Sequence, residues 1–446
     1  MRVYFAAAFL LWAPAVSAQH PTHPVRPAMD TTQEMHAMVG VLGIPLSREG
    51  SGTSWLPDST PMYAKHRRLG AWQLMLHGNV FLQYIDEGSD RGDEQFGSIN
   101  WIMGMARRSA LRGELWLRAM FSAETWTVGE CGYPDLLATG ELCNGEPLHD
   151  RQHPHDLFME IAAGYERTIA DDLAIQVYGG PAAEPALGPT AYPHRLSSFP
   201  GPLAPITHHW LDATHISFGV VTTGLFSRRW KLEGSLFNGR EPDEERTDFD
   251  FASLSSYSGR LAFMPNPNWS LQVSAAQLNE AEFPEEPGGS RVDVTRYTAS
   301  AVYHRPFTDA FLAATLAYGH NEEEGTGTNA ILSEASVNLH EKHIFSGRFE
   351  WVEKTGEDLA VNEPRLDQQV FRLAKAGVAY TFQLPGLWGW APGIGAGGSV
   401  SFIPDDLELV YGERHPIGFI LFASLRPERM QMLMDSAASP HMQRHE

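Results

Sequence analysis

Residues 391–403, APGIGAGGSVSFI, carry the pattern that decides the fold. Ile394, Ala396, Val400 and Phe402 share one parity, whereas glycines and serines fill the other. Because successive side chains of a strand point to opposite faces of a sheet, this segment predicts a β-strand with one apolar face and one face of small side chains.

The same two-residue alternation recurs along the chain from Ala71 onward. It predicts sixteen strands, at residues 72–85, 97–107, 113–125, 155–168, 172–182, 215–227, 230–239, 255–264, 269–279, 294–305, 310–320, 329–340, 343–353, 368–383, 391–403 and 414–427. Two of these segments alternate poorly, so fourteen or eighteen strands are the alternatives.

The connections between these segments alternate between short and long. Short turns such as residues 265–268 and 306–309 have Pro, Asn and Asp in turn positions, and the others run from about ten to thirty residues. After residue 18 there is no run of about 18 apolar residues for a membrane helix, but a membrane-spanning strand needs only about 9–11 residues. The pattern therefore predicts an all-β chain that excludes a helical membrane protein and leaves a barrel open.

Composition narrows the class of protein further. The 446 residues are 43% hydrophobic and 11% aromatic, which excludes a disordered chain. With 33 Lys and Arg against 54 Asp and Glu, the net charge is -21. We therefore expect no nucleic acid as a partner, since phosphates select basic surfaces.

The chain is expected to be exported. Residues 1–18 have the features of a secretory signal peptide: Arg2, an apolar core and small residues before a cleavage site. The rest divides into an N-terminal periplasmic or plug segment (19–70), a barrel (71–427) and a His/Met-rich C-terminal tail (428–446). In an oxidising compartment Cys131 and Cys143 form one disulfide, with two free thiols as the alternative.

A soluble β-sandwich is the alternative fold, because it also needs alternating strands. Strict alternation of short and long connections argues against it, as do polar residues on the second face. Aromatic residues near strand ends also share the apolar parity, as interfacial girdles do: Trp72, Tyr84, Trp230, Trp269, Tyr297, Tyr303 and Tyr380.

From about Ala71 to Leu425, the sequence resembles Gram-negative outer-membrane β-barrels of porin type. The stretch Gly50 to Met62, GSGTSWLPDSTPM, has the look of a signature of an uncharacterised barrel group. The resemblance implies a transmembrane antiparallel barrel in the outer membrane, with short periplasmic turns and long external loops. It also implies lipid and lipopolysaccharide as partners and a monomer or homotrimer as the assembly. About twenty residues follow the last candidate strand, whereas these barrels commonly end on an aromatic residue.

A sixteen-stranded barrel is too wide for its own side chains to fill, so it leaves a channel unless loops or the N-terminus plug it. The alternation places charged residues of both signs on the inner face: Glu114, Arg118, Lys231, Glu233, Arg260, Arg296, Arg348 and Glu350. Such a lining favours small polar solutes or ions. Mutual pairing of these charges as wall struts is the alternative.

Two kinds of metal site are suggested by the loops. The second and third long loops contain seven histidines near carboxylates, namely His149, His153, His155, His194, His208, His209 and His215. This chemistry suits zinc or copper, although hydrogen-bonded loop histidines are the alternative. The long loops are also acidic and could bind divalent cations shared with lipopolysaccharide, or simply be solvated.

Both termini are rich in His and Met, which suit Cu(I) or Ag(I), with terminal disorder as the alternative. These residues are His20, His23, Met29, Met35, His36, Met38, Met430, Met432, Met434, His441, Met442 and His445.

The sequence therefore predicts a passive, porin-like channel that needs no cofactor. A metal-handling barrel for copper or another soft ion is the first alternative. An outer-membrane hydrolase is the second, with Ser217 two residues after His215 as the candidate pair. Because the chain shows neither a nucleophile elbow nor a phosphate-binding glycine motif, we do not expect an enzyme.

Overall fold

The structure is a computed structural model that describes residues 39–283, 290–361, 365–366 and 369–430. The predicted signal peptide lies outside the described residues. So do all the terminal His and Met residues named above except Met430.

The described residues form nineteen strands. They are β1 (Lys65–Leu69), β2 (Trp72–Glu87), β3 (Glu94–Ala110), β4 (Gly113–Phe121), β5 (Tyr133–Cys143), β6 (Glu146–Gln152), β7 (Phe158–Ala170), β8 (Leu173–Ala182), β9 (Val220–Phe226), β10 (Trp230–Phe237), β11 (Ser256–Phe263), β12 (Trp269–Glu282), β13 (Val292–Pro306), β14 (Ala310–Glu323), β15 (Thr326–Leu339), β16 (His343–Thr355), β17 (Val370–Gln383), β18 (Trp390–Phe402) and β19 (Ile417–Pro427).

Helices are few and short. The α-helices are Glu124–Thr127, His208–Leu211 and Glu408–Tyr411, and the 3₁₀ helices are Val41–Gly43, Leu46–Arg48, Tyr192–His194, Ala213–His215 and Asp405–Leu407. Across the described part of the chain, no helix has the length and apolar character to cross a membrane.

Strands β2–β4 and β7–β19 form a closed antiparallel barrel of sixteen strands. The ring closes where β19 pairs with β2, from Gly418 opposite Glu87 to Leu425 opposite Val80. Each of the sixteen predicted segments overlaps one of these strands, so the predicted barrel fold is confirmed. β1 extends the seam, since Lys65 to Leu69 pair with the beginning of β2.

The outer face of the barrel is apolar. Along each strand one parity is exposed, and the following residues on it are 43–71% accessible: Val80, Leu82, Leu232, Leu236, Val273, Leu316, Val378, Ile394 and Leu421. The predicted outward aromatics share this face, as shown by Trp269 and Tyr303, whose ring centroids lie 4.6 Å apart on adjacent strands. An exposed apolar surface of this extent is unfavourable in water and requires lipid.

Several details of the predicted strand pattern are wrong. Strict alternation of turn length fails because β14 runs to Glu323 and β15 starts at Thr326, which leaves a two-residue connection. β4 ends at Phe121 rather than near residue 125, because the chain turns into the helix Glu124–Thr127. The hairpin of β5 and β6, which lies within the second long loop, was not predicted.

The lumen is partly filled by the chain itself, which is the plugged alternative that the sequence left open. Leu136 and Leu137 of the β5–β6 hairpin pack with Trp210 from the β8–β9 connection and with Leu332 and Val352 of the wall. All five side chains are at most 4% exposed. Loops therefore fold into the barrel and build an apolar core there.

Candidate functional site

The N-terminal segment around residues 48–60 lies inside the barrel against charged side chains of the wall. Arg118 donates from Nη1 to the Gly52 carbonyl (2.6 Å), and Arg260 donates from Nη2 to Thr53 Oγ1 (3.0 Å). Lys231 Nζ donates to the Thr53 carbonyl. Three residues predicted to line an open pore thus bind the chain's own backbone and side chains instead.

Glu233 completes this group of charges. Its carboxylate oxygens lie 3.3 Å from Lys231 Nζ and 3.1 Å from Arg260 Nε. Lys231 and Arg260 therefore each contact this carboxylate as well as Thr53 of the N-terminal segment. Arg118, Lys231, Glu233 and Arg260 are at most 5% exposed. We call these four residues of β4, β10 and β11 the charged arc.

Local geometry fits the N-terminal segment to its place. Gly52 has a φ of +50°, and a Cβ built there would lie 2.7 Å from the Cβ of Glu184. Ser54 Oγ lies 2.8 Å from Thr190 Oγ1, and Ser51 Oγ accepts from the Ala191 amide at 2.8 Å. The segment is therefore bonded both to the wall and to the connection between β8 and β9.

That connection, residues 183–219, crosses the lumen, and we call it the inner loop. Its Arg195 is fully buried and donates to Glu334 Oε1 of the wall (2.7 Å) and to Asp212 Oδ2 (2.5 Å). Burial alone would raise the pKa of Asp212, but Arg195 and His208 hold it well below its usual range. Asp212 is therefore a fixed negative charge that organises the loop from inside.

Two further predicted pore residues anchor the inner loop. Arg348 donates to the carbonyls of Leu203 and Ala204, both at 3.0 Å. Glu350 accepts from the amide (3.1 Å) and the hydroxyl (2.9 Å) of Thr207. These inward charges position a loop that narrows the lumen.

The last two residues of the predicted lining have different surroundings. Arg296 is 2% exposed and donates from Nε to Asn321 Oδ1 at 2.8 Å. Glu114 lies at the end of the barrel, where it accepts from Ser109 Oγ at 2.7 Å in an exposed position. Neither contacts the charged arc.

The β5–β6 hairpin enters from the other long loop. Cys131 and Cys143 form the predicted disulfide, with Cα atoms 5.4 Å apart. Asn144 and Gly145, with φ of +54° and +76°, form the turn. The Asn-Gly pair is the strongest short hairpin signal in a sequence, and it could have revealed this element.

The hairpin is bound to the wall by lysines that were not among the predicted lining residues. Lys375 Nζ lies 2.8 Å from Glu87 Oε1 and 2.7 Å from Asp135 Oδ1 of the hairpin. Lys354 Nζ donates to the Leu137 carbonyl at 2.7 Å. Strand parity alone would have placed both lysines on the inner face.

A space is left on one side of the lumen, between the inner loop and strands β16–β19. We call it the trough; its volume, open solvent included, is ≈ 800 Å³. The wall beside it includes the large apolar side chains of Ile85, Ile420 and Phe422. Its small inward residues, which we call the glycine–serine arc, are Ser346, Gly377, Ala379, Gly397, Ser399 and Gly418. Charges of both signs also line it: Glu87, Asp135, Arg348, Glu350 and Lys375.

Five of the seven predicted metal-site histidines come together in the lumen. Ring centroids are 5.3 Å apart for His155 and His215, 5.2 Å for His208 and His215, and 5.6 Å for His208 and His209. His153 joins them at 5.8 Å from His209. We call these five the histidine cluster.

The other two histidines lie elsewhere. His194 packs 4.9 Å from Trp101, and its pKa is lowered by burial and by His77. His149 pairs with Asp150 at 2.9 Å and has a 39% exposed side chain.

Hydrogen bonds orient the rings of the cluster. Nδ1 of His155 lies 2.9 Å from Glu124, Nδ1 of His208 2.8 Å from Asp212 Oδ1, and Nδ1 of His215 2.8 Å from the Asp212 carbonyl. In metal sites such contacts fix the tautomer and leave Nε2 as the ligand. Nε2 of His209 and of His215 is buried without a hydrogen-bond partner, whereas Nε2 of His153 lies 3.2 Å from Glu141 Oε1.

Most of the cluster is held neutral. Burial lowers the pKa of His208 and of His209 to about 4, and lowers those of His153 and His215 well below 6.5. For His155 burial acts in the same direction, but Glu124 outweighs it and raises the pKa. Neutral imidazoles are the protonation state that binds metal ions.

Three possible ligand atoms lie close together in an external loop. Among the described residues, Asp243, Asp248 and Asp250 each place a carboxylate oxygen within 4.8 Å of the other two. These three carboxylates are close enough together to bind the divalent cation that was predicted for the acidic loops.

The candidate hydrolase pair is oriented away from catalysis. Ser217 Oγ donates to the Thr214 carbonyl at 3.1 Å, and Nδ1 of His215 lies 2.8 Å from the Asp212 carbonyl. A serine nucleophile needs a hydrogen bond to its base, and here both groups are directed to backbone oxygens.

No protein-family model and no curated protein matches the sequence. Among solved structures, the Salmonella typhi OmpF complex with daunomycin has a TM-score of 0.47 at 10% identity, over 81% of this chain and 100% of that chain. The anion-selective porin from Comamonas acidovorans has 0.47 at 12% identity, over 80% and 99%. OmpT of Vibrio cholerae has 0.44 at 8% identity, over 81% and 100%. Likenesses this distant carry no conclusion about function.

The location follows from the barrel itself. A closed antiparallel sheet of sixteen strands has no free edge, and its outer face here is a belt of exposed apolar side chains. Such a surface is stable only in a bilayer, and closed barrels of an even strand number are the β-structures that span bacterial outer membranes. The chain is an outer-membrane β-barrel with a partly filled lumen.

Proposed function

We propose that this protein is a passive, porin-like channel for small polar solutes or ions, and that the trough is its route. The supporting observation is the space of ≈ 800 Å³, open solvent included, that lies between the glycine–serine arc and the inner loop. Small inward side chains leave room for water, and the charges of both signs offer partners to polar solutes.

The charges of the trough set its selectivity. Glu87, Asp135 and Glu350 face Arg348 and Lys375, so three carboxylates and two cations leave one formal negative charge. The channel is therefore expected to prefer cations weakly. The proposal includes no catalytic step and no cofactor.

Planar-bilayer recording tests the route. Ser399→Trp puts a large side chain into the trough, and we expect it to lower single-channel conductance by about twofold or more. Ala396→Trp is the matched control, because Ala396 is exposed on the outward parity of the same strand and does not line the trough. Equal conductance of wild type and Ser399→Trp, with both barrels folded on an unboiled gel, would exclude the trough as the route.

The proposed partners follow from the outer face. Lipid surrounds the apolar belt, and lipopolysaccharide lies beside the acidic external loops, where divalent cations bridge phosphates and carboxylates. A monomer or a homotrimer is the expected assembly, which cross-linking in mild detergent measures.

A second candidate function, metal handling, is favoured by the histidine cluster. Nδ1 is oriented by hydrogen bonds in His155, His208 and His215, as in sites that bind zinc or copper, and Nε2 is buried without a partner in His209 and His215. Calorimetry with Zn²⁺ on the folded barrel tests it with His208→Gln/His215→Gln and, as control, His149→Gln. Loss of binding in the double variant alone supports the candidate, and equal binding in all three proteins excludes the cluster.

A further inference from the structure

A second space in the lumen has a lining of unusual chemistry. It has an empty volume of ≈ 970 Å³ and lies on the other side of the inner loop from the trough. Leu196 and Phe199 of that loop face this space, whereas Ser197 and Ser198 face the trough. Sulfur and imidazole groups line it, and we call it the methionine recess: Met62, Met75, Met103, Met105, His66, His77 and His194.

Strand register gathers the main donors. On β2 and β3, Met75 pairs with Met105 and His77 with Met103. All four have odd numbers on adjacent strands, so they point inward as a two-by-two patch, with directly opposed Cβ atoms about 5 Å apart. Three thioethers and one imidazole therefore share one small area of wall.

The patch already contains a close contact between two donors. Nε2 of His77 lies 3.1 Å from Sδ of Met103. The His194 ring, supplied by the inner loop, is centred 5.4 Å from that of His77. Burial lowers the pKa of His194 well below 6.5, so this imidazole is neutral and able to act as a ligand.

These methionines differ in exposure. Met120, Met159 and Met264 are at most 4% exposed, and Met103, at 2%, shares with Met120 and Met159 an apolar cluster against which Met105 also packs. Met75 and Met105 are only half-buried, because they face the recess.

The donor set selects the kind of ion. Thioether and imidazole ligands suit soft monovalent Cu(I), whereas magnesium and calcium need oxygen ligands. The carboxylate of Glu49 in the lining is bound by Arg107 and by Arg118 at 3.2 Å. Arg107 also lies 3.9 Å from Glu166 and Arg118 lies 3.8 Å from Glu160, so the charges of the lining are paired and its other donors are soft.

We propose that Met75, His77, Met103 and Met105, with His194, bind one soft monovalent cation of the Cu(I) and Ag(I) class inside the barrel. The residues differ from those of the histidine cluster. The site does not depend on whether the trough conducts, so metal binding and conductance fail or succeed separately.

Calorimetry with Ag(I), which undergoes no redox change, tests the site in the purified full-length barrel. The variant Met75→Leu/Met103→Leu/Met105→Leu removes three sulfurs at nearly constant volume. Because the terminal His and Met residues can also bind Ag(I), the measured quantity is the difference in stoichiometry. We expect the triple variant to bind one ion fewer than wild type.

The control is Met120→Leu/Met159→Leu/Met264→Leu, which removes three packed sulfurs and should keep the wild-type stoichiometry. If the recess triple does not fold, Met105→Leu and His77→Gln serve separately, each with an expected loss in affinity of about tenfold or more. X-ray absorption of the Cu(I)-loaded protein should show sulfur bound to copper that the recess variants lose. Unchanged stoichiometry and affinity in folded recess variants would overturn the proposal.

Discussion

The charged arc and the glycine–serine arc are parts of one inner wall, yet they leave opposite things in the lumen. Arg118, Lys231 and Arg260 reach inward and bind the N-terminal segment. Gly397 and Ser399, on the other arc, have no side chain or a short one, and the trough remains beside them.

The comparison shows that inward charges in a barrel can bind a plug and need not line an open channel. A buried charge is costly unless it is paired and hydrogen-bonded, so four charges in one arc demand partners that water supplies poorly in a narrow space. The N-terminal segment supplies them with carbonyl and hydroxyl oxygens. Glycine and serine need fewer partners, so the glycine–serine arc borders open space. Charge alone does not mark the filled part, because charged residues also line the trough and Arg118 also lines the methionine recess.

The largest effect is expected from forcing the filled part open. Gly52→Val places a branched side chain at a φ of +50° and within 2.7 Å of Glu184 Cβ, so the N-terminal segment cannot keep its place. Single-channel conductance should rise several-fold, since a sixteen-stranded barrel without a plug has a wide lumen.

Gly43→Val is the matched control for this change. Gly43 has a φ of +71° in the same segment, but no atom lies within 4 Å of its Cβ position. It carries comparable backbone strain without the clash, and its conductance should stay at the wild-type level. If Gly52→Val has the wild-type conductance as well, the N-terminal segment does not block the lumen beside the charged arc.

A smaller effect is expected from changing charge in the open part. Lys375→Met removes one of two cations from the trough and leaves Glu87 and Asp135 unpaired. The reversal potential in a salt gradient should shift towards cation selectivity. Lys342→Met removes the same charge from an exposed turn and should leave it unchanged; equal shifts in both variants would place the route outside the trough.

The sequence predicted the wall better than its contents, for a physical reason. Alternation is local, so residues 391–403 alone indicate a strand and its two faces. Which inward side chain meets which loop depends on contacts far apart in the chain, such as Lys231 with Thr53 across 178 positions. No periodicity contains that information.

The histidines illustrate the same limit. Composition placed seven in two loops, and the fold brought together His153, His155, His208, His209 and His215, because both loops turn into the lumen. His194 went to the opposite side of the inner loop, next to His77. The sequence did not reveal the methionine recess, although Met75, Met103 and Met105 have inward parity, because a methionine on a strand is also typical of a packed core.

Low pH should destabilise the inner loop, because three residues of the histidine cluster lie on it. In the folded protein His208 and His209 have pKa values of about 4, against 6.5 in an unfolded chain. As pH falls from 6.5 to 4, the released loop takes up protons that the folded loop does not, so the stability of the inner loop falls. His155, whose pKa is raised, opposes this trend, as do the buried carboxyls of Asp156 and Glu241, whose pKa values burial raises to about 7 and about 8.

Hydrogen exchange of residues 205–216 measures this change. Exchange should accelerate between pH 7 and pH 4, after correction for intrinsic rates, and His208→Gln/His209→Gln should weaken the pH dependence. His415→Gln, an exposed histidine near β19, should keep the wild-type profile. A flat profile in wild type would mean that the cluster does not control the loop.

The smallest effect is expected where neither arc is altered. The disulfide closes a separation of 12 residues in the β5–β6 hairpin, so Cys131→Ser/Cys143→Ser should lower local stability by about 3 kcal/mol or less. Protease cleavage between the two positions should become faster. Conductance should not change, because Lys354 still holds Leu137 and Lys375 still holds Asp135 beside the trough. A change in conductance would show that the hairpin depends on the disulfide for its position and that the open part of the lumen is set by this loop as much as by the glycine–serine arc.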